Sequence, residues 1–278
     1  MTLTEHDLNA LMRAEHADPF RVLGMHTQQG QLSVTALLPS VDSVDLVDKI
    51  TGQTRAKLER IEGTDLFTAT IGQKIPPFSY EFLVTWSIGP ANPQLVEDPY
   101  RFPLVLQDMD LWLLAEGTHQ RPFECLGAHL KTVDGVAGTT FAVWAPNARR
   151  VSVVGSFNSW DGRRHPMRLR KECGVWEIFI PAVGQGDLYK FEILGAKGVM
   201  ATKADPFAFH AQLRPDTASV VYPLPARLPM RADRAAANAF GKPISIYEVH
   251  LGSWRKADGW RWLSYRELAE TLVPYAKE

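Results

Sequence analysis

A surplus of either charge is missing from this sequence: 30 lysines and arginines face 31 aspartates and glutamates, for a formal net charge of −1. A nucleic-acid or acidic-membrane partner calls for a basic excess, so neither is expected. Cysteine is scarce as well. Cys125 and Cys173 are too few for a disulfide framework and read as reduced thiols of a cytoplasmic protein, with a single bridge left open. No apolar run reaches membrane-spanning length. The opening residues, Met1 to Asp7, lack the basic-then-apolar order of a signal peptide. None of the eight histidines stands in an H-x-x-x-H pattern and no C-x-x-C pair occurs, so no metal and no cofactor are expected. Phosphate-cradling glycine loops and the G-x-S-x-G elbow are missing too, and no catalytic triad can be assembled.

What the sequence does contain is a repeat. The stretch Pro19-Phe20-Arg21-Val22-Leu23-Gly24-Met25-His26 returns as Pro122-Phe123-Glu124-Cys125-Leu126-Gly127-Ala128-His129, at an offset of 103 residues. Leu38-Pro39 is echoed by Ala145-Pro146, Tyr80-Glu81-Phe82 by Tyr189-Lys190-Phe191, and Asp98-Pro99-Tyr100 by Asp205-Pro206-Phe207. Landmarks in one order at nearly one offset indicate a duplicated module. Within the first copy, alternating apolar residues predict strands over 32–38, 41–47, 66–71 and 80–86. The second repeats them over 140–144, 151–154, 175–180 and 189–194. The fold class is therefore mainly β, with two tandem immunoglobulin-like β-sandwiches of about 100 residues each. A short helix should precede the first, because Thr4 and Asp7 have capping-box spacing ahead of Leu8, Leu11 and Met12.

The second copy carries a loop that the first lacks. Val151 and Val153 belong to a strand, and Gly155 to Asp161 then supply turn-formers around Phe157 and Trp160. Trp160 and Lys190 together suit a sugar surface, since a glucose ring offers a flat apolar face to indole and hydroxyls to an ammonium group. A packing role for Trp160 at the end of a sandwich competes with that reading. Between Val47 and Leu66 the first copy has no matching tryptophan, so it is expected to be a structural spacer. The basic run from Arg163 to Lys171 alternates Met167 and Leu169 with Arg168 and Arg170, which predicts the solvated outer face of a strand.

The wording Gly155-Ser156-Phe157-Asn158-Ser159-Trp160, with Tyr189-Lys190-Phe191, resembles the glycan-binding module that precedes the catalytic barrel in glycogen branching enzymes. The resemblance implies that Trp160 and Lys190 contact α-glucan, that Asn158 assists, and that Thr217 and Ser219 make late contacts. A second stacking tryptophan, found after Tyr-Lys-Phe in kinase-subunit versions of this module, is missing, because the corresponding residues are Gly198-Val199-Met200.

Beyond an Ala- and Arg-rich linker the pattern changes. Ile244 to Trp254 predicts a buried strand of the parallel-sheet kind, and Ser264 with Glu267 a capped helix bearing Leu268, Leu272 and Tyr275 on one face. Ile246 to Trp254 and Leu263 to Ala269 resemble the first barrel strand and helix of bacterial branching enzymes. A complete (β/α)₈ barrel needs roughly 250 residues. The expected division is therefore a sandwich over 1–113, a glycan-binding sandwich over 114–226, a linker over 227–241, and over 242–278 the first βα unit of an incomplete barrel.

The family's reaction transfers an α-1,4-glucan segment to a 6-hydroxyl, with retention. It uses an Asp nucleophile and a Glu acid–base that lie on later barrel strands. No catalytic residue is therefore assigned here, and the chain by itself is expected to be inactive. Its expected partner is glycogen or another α-1,4-glucan, with the parent enzyme monomeric and cytoplasmic. The competing expectation is a free-standing, non-catalytic α-glucan-binding or regulatory protein.

Overall fold

The computed structural model describes residues 4–88, 92–224, 226, 229–230, 232–237 and 239–278. It divides into two compact units, Met1–Pro225 and Ala226–Glu278. Helix α1 (Glu5–Met12) starts where the sequence places its cap. The Thr4 hydroxyl accepts from the Asp7 N–H at 3.1 Å and donates to the Asp7 carboxylate at 2.6 Å. Strands β1 (Gly24–Gln28), β2 (Gln31–Leu37), β3 (Val41–Asp48), β4 (Thr54–Arg60), β5 (Leu66–Gln73), β6 (Tyr80–Trp86) and β7 (Gln94–Val96) complete the first copy. They form one antiparallel sheet in the order β1-β2-β5-β4-β3-β6-β7. β4 pairs with β3 through Thr54 to Leu58 and with β5 through Glu59 and Arg60, so it closes one edge of the sandwich. Alternation along β6 turns Tyr80, Phe82 and Val84 inward, onto Val34, Val44, Leu46 and Phe67.

The second copy opens with α2 (Asp108–Glu116), the counterpart of α1 103 residues on, which ends at Gly117 with φ +73°. The expected division between residues 113 and 114 falls inside this helix. Strands β8 (Gly127–Val133), β9 (Val136–Trp144), β10 (Ala148–Gly155), β11 (Arg168–Arg170), β12 (Val175–Pro181), β13 (Leu188–Gly195), β14 (Met200–Lys203), β15 (His210–Ala211) and β16 (Ser219–Val220) follow. Two sheets result. One runs β8-β9-β12-β11; the other runs β10-β13-β16-β15, with β14 also paired to β13. Phe141, Trp176, Ile178, Tyr189 and Phe191 fill the space between them. Both cysteines are unpaired.

The repeated words of the sequence correspond to repeated hydrogen bonds. Tyr80 donates its hydroxyl to Asp98 at 2.6 Å, and the other Asp98 oxygen accepts from the Tyr100 N–H at 2.9 Å. In the second copy Tyr189 donates to Asp205 at 2.6 Å, and Asp205 accepts from the Phe207 N–H at 2.8 Å. Burial pushes the Asp98 carboxyl up to about 6 and raises that of Asp205. The Asp-Pro-aromatic motif thus anchors the chain leaving each sandwich to the tyrosine of the Tyr-x-Phe strand. His26 and His129 likewise bond the Leu23 and Leu126 carbonyls at 2.9 and 3.0 Å.

The basic run does not form a solvated face, which corrects the sequence expectation. Met167 is buried, Arg170 is 7% exposed, and Arg168 and Arg170 both reach Glu177, which is wholly buried on β12, at 3.1 and 3.4 Å. The remaining arginines join the two copies. Arg163 pairs with Asp65 at 3.2 Å, and Arg164 donates to the Pro39 carbonyl at 2.8 Å and lies over Trp86. Arg168 lies over Phe20 at 4.1 Å, and Tyr100 donates towards the Pro166 carbonyl at 3.3 Å. Leu11, Leu23, Leu37 and Leu66 of the first copy share one core with the second.

In the second unit, Ile244 to Trp254 do not form the predicted strand. Residues 243–250 make no ladder, Ile244 and Ile246 are 74% and 88% exposed, and the segment ends in a single helical turn. A parallel strand needs hydrogen-bonding neighbours along its length, and among the described residues this segment has none. Of the expected linker over 227–241, residues 227, 228, 231 and 238 lie outside the described residues. The rest includes the short α3 (Arg234–Ala237), and the helical turn is α4 (Leu251–Trp254). A two-stranded hairpin of β17 (Lys256–Ala257) and β18 (Arg261–Trp262) precedes α5 (Tyr265–Lys277). The α5 capping box forms as predicted, with Ser264 and Glu267 reciprocally bonded at 2.7 and 3.3 Å. Of its apolar face Leu268 is buried, while Tyr275 packs on Trp254 and Tyr247. Among the described residues no helix is long and apolar enough to cross a membrane.

Removing either tyrosine hydroxyl leaves a buried carboxylate oxygen short of its donor. Tyr80→Phe and Tyr189→Phe should each destabilise the first unit by about 1–3 kcal/mol, measured by urea denaturation.

Candidate functional site

The loop after β10 is built on Asn158. Its side chain accepts from the Gly155 N–H at 2.8 Å, donates to the Val153 carbonyl at 2.9 Å, and meets the His165 ring nitrogen at 2.8 Å. With its amide satisfied internally, Asn158 is 3% exposed. Gly155 admits no side chain, because a Cβ there would stand 2.3 Å from the Leu188 carbonyl oxygen and 2.5 Å from the Phe157 ring. Ser159 and Trp160 then adopt consecutive left-handed conformations, φ +57° and +59°, and the Trp160 N–H closes the turn on the Gly155 carbonyl at 3.0 Å. Two such residues in sequence are a strained arrangement for side chains with a Cβ. The turn leaves the indole 41% exposed.

The loop returns along the open edge of β10. Met167 N–H donates to the Val151 carbonyl at 2.9 Å, Val153 N–H to the His165 carbonyl at 3.1 Å, and Pro166 stands opposite Ser152. Asp161 stiffens the return by accepting from Arg163 through its backbone N–H and its guanidinium, at 2.7–3.2 Å. Burial works against the Asp161 charge, but the combined Arg163 bonds outweigh it and hold the carboxyl below its ordinary range. His165 keeps some exposed surface, yet burial by its neighbours and then the Arg164 charge press its pKa down to about 3. It is a neutral acceptor for the Asn158 amide.

Lys190 stands opposite Val154 in the β10–β13 register, one strand in from the loop, and donates to the Thr217 hydroxyl at 2.7 Å. The structure therefore joins Lys190 and Thr217 directly, with Trp160 rising from the neighbouring strand end. Ser219 belongs to the interior. It is 1% exposed, and its hydroxyl accepts from the Asp205 N–H at 2.9 Å. Burial removes both Asn158 and Ser219 from direct contact with a ligand.

Sequence reasoning missed Glu192 and Arg150, paired at 2.6 Å beside the loop; Gly162 lies against that carboxylate so closely that a Cβ would stand 2.0 Å from it. Strand periodicity was the available signal, since Lys190 and Glu192 share one outward face of β13. No tryptophan loop exists in the first copy, where β4 fills that edge. Among the described residues one group, Asp110, His119 and Cys125, brings three potential metal ligands within 4.8 Å of one another. His119 already accepts from the Arg121 N–H at 3.0 Å and faces Asp110 at 3.1 Å, as His16 does with the Asp18 N–H and Asp7 in the first copy. Burial pushes the Cys125 thiol up to about 11, which keeps it protonated. The cluster serves as a turn lock.

Residues 4–100 match the family model of the alpha-1,4-glucan branching enzyme GlgB N-terminal domain, and residues 125–208 match carbohydrate-binding module 48, the isoamylase N-terminal domain. The chain carries a branching-enzyme N-terminal domain followed by a carbohydrate-binding module of family 48. Both copies of the repeat thus have a family counterpart, and the module with the tryptophan loop is the one that matches a carbohydrate-binding module. Several solved pullulanases are similar. The ligand-free Klebsiella pneumoniae PulA is 17% identical, with a TM-score of 0.31, over 72% of this chain and 21% of its own. The Anoxybacillus sp. LM18-11 enzyme, solved with maltotetraose, is 15% identical with a TM-score of 0.31, over 83% and 29%. The type I enzyme of Bacillus subtilis str. 168, solved with maltose, is 16% identical with a TM-score of 0.32, over 76% and 28%. The chain thus spans less than a third of the length of these pullulanases.

The low pKa of His165 has a consequence for stability. An unfolded histidine binds its proton near 6.5, whereas the folded His165 does so only near 3. The unfolded state takes up the proton first, so stability falls as pH drops from about 6.5 towards 3. His165→Asn should lose roughly 1–2 kcal/mol of this acid sensitivity, so that urea midpoints at pH 7 and pH 4.5 lie closer together than in the wild type.

Proposed function

We propose that the surface formed by Trp160, Lys190 and Thr217 binds α-1,4-glucan such as glycogen. The observation that carries this reading is the posture of Trp160: the chain holds it exposed, in a left-handed turn on a fully bonded Asn158, just past the end of β10, the strand that pairs with the one bearing Lys190. A core-filling tryptophan needs no such turn. The exposed indole offers a stacking face, and the ammonium and hydroxyl offer a donor and a donor–acceptor to sugar hydroxyls. Asn158 supports the loop from beneath, and Ser219, at the start of β16, supports the segment that carries Thr217.

The enzyme to which these domains belong is proposed to be a cytoplasmic, monomeric branching enzyme. It would transfer an α-1,4-glucan segment to a 6-hydroxyl, with the surface described here holding the polymer near the chemistry. That reaction needs paired carboxylates on either side of the scissile bond. No such pair is assigned in this chain, and the 278-residue polypeptide is proposed to bind glucan without branching it.

Trp160→Ala should weaken binding to maltoheptaose by about tenfold in calorimetric titration, with the thermal midpoint unchanged. Wild-type affinity in the variant would overturn the assignment, and loss of the fold would return Trp160 to a packing role. New α-1,6 linkages in amylose incubated with the purified chain would overturn the proposed inactivity.

A further inference from the structure

The second sandwich exposes another indole, at the far end of β10 from the tryptophan loop. Trp144, the last residue of β9, is 59% exposed, whereas Trp176 on the adjacent strand β12 is wholly buried. Its ring nitrogen donates to the Cys173 carbonyl at 3.0 Å. The polar edge is satisfied and the ring plane is fixed, while the aromatic surface stays open. Two depressions flank the ring. One, of about 480 Å³, has Leu114 and Pro146 as its apolar wall and Lys171 and Glu172 as its polar one. The other, of about 460 Å³, sets Ile193 and Val199 against Asn147 and Lys197. All four polar side chains are exposed.

The first copy supplies an internal comparison. The residue before its Leu38-Pro39 is Leu37, which is buried in the core shared by the two sandwiches. The same position in the second copy is not enclosed, and there the aliphatic side chain is replaced by a rigid aromatic plate with ammonium, carboxylate and amide groups on both sides. An apolar plate fringed by hydrogen-bonding groups suits a sugar, whose ring faces are apolar and whose rim is hydroxylated. Trp144 precedes β10 and Trp160 follows it, and the eight residues of that strand span roughly 25 Å.

We propose that Trp144 is the platform of a second α-glucan-binding site on this module. The identity of the ligand rests on the reading given under Proposed function; the site itself is separate. A long glucan can engage both platforms at once, whereas a short malto-oligosaccharide engages either one alone. Linked sites of this kind raise affinity for the long ligand well above that for the short one.

Calorimetric titration of the full chain with maltoheptaose and with soluble amylose tests the assignment, using wild type, Trp144→Ala, Trp144→Phe and Trp160→Ala. The wild type should bind two maltoheptaose molecules per chain and Trp144→Ala one, with amylose affinity in that variant reduced about tenfold. Trp144→Phe, which keeps an aromatic plate, should retain both sites, so a loss specific to alanine cannot be ascribed to the missing indole N–H bond. Unchanged stoichiometry and amylose affinity in Trp144→Ala would overturn the proposal and leave the exposed ring as a surface for protein contact. If Trp160→Ala binds as the wild type does while Trp144→Ala loses a site, the proposal stands and the Trp160 assignment falls. Absence of glucan binding in the wild type would overturn both.

Discussion

A carboxylate with no access to water holds the second sandwich to the segment that joins it to the first. Glu177 on β12 accepts from Arg168 and Arg170, and from the backbone N–H groups of Val105 and Leu106 at 3.2 and 2.8 Å. An isolated charge at that depth would be prohibitive, and the four donors make it tolerable only while they stay together. The short edge strand β11, the central strand β12 and the connecting segment ahead of α2 are therefore fixed to one point. Arg168 extends the constraint outward, because its guanidinium also lies over Phe20 and donates to the Pro103 carbonyl. The shared core behind it is apolar and indifferent to direction; the buried charge gives the join its register.

Duplication shows which parts of the module are structural. The Tyr–Asp anchor and the histidine bonded to a leucine carbonyl recur in both copies at similar distances, and an entry helix precedes each. The edge next to β10 diverged. In the first copy a full strand, β4, occupies the place, and in the second a loop carries Trp160 out and returns through Arg163 and Arg164 to the first copy. The segment bearing Trp160 is thus also one that contacts the first sandwich.

Much of this was legible in the sequence, for identifiable reasons. Tyr80–Trp86 and the strands around it follow period-2 alternation, and they form where the sequence places them because a sandwich buries one face of each strand. The caps at Thr4 and Ser264 are local interactions that need no tertiary knowledge. Arg168 and Arg170 were misread because alternation reports which side of a strand is polar and does not report whether a buried carboxylate waits there. Asn158 and Ser219 illustrate the converse limit: their residue types suit sugar hydroxyls, yet the backbone of the loop and of Asp205 claims them first. Ile244 to Trp254 has the composition of a buried strand, but composition supplies only half of a ladder and the partners must come from elsewhere in the fold.

Sheet edges are where β proteins add unwanted strands, and β10 would be such an edge if the loop returned anywhere else. The residue laid beside its midpoint is Pro166, which has no N–H to offer a further chain, and the two bonds flanking it occupy Val151 and Val153. The sheet that carries the proposed binding surface is thereby closed to self-association through this edge. Were many copies crowded at high local concentration on one large ligand, such modules would remain separate from one another while each held the same particle.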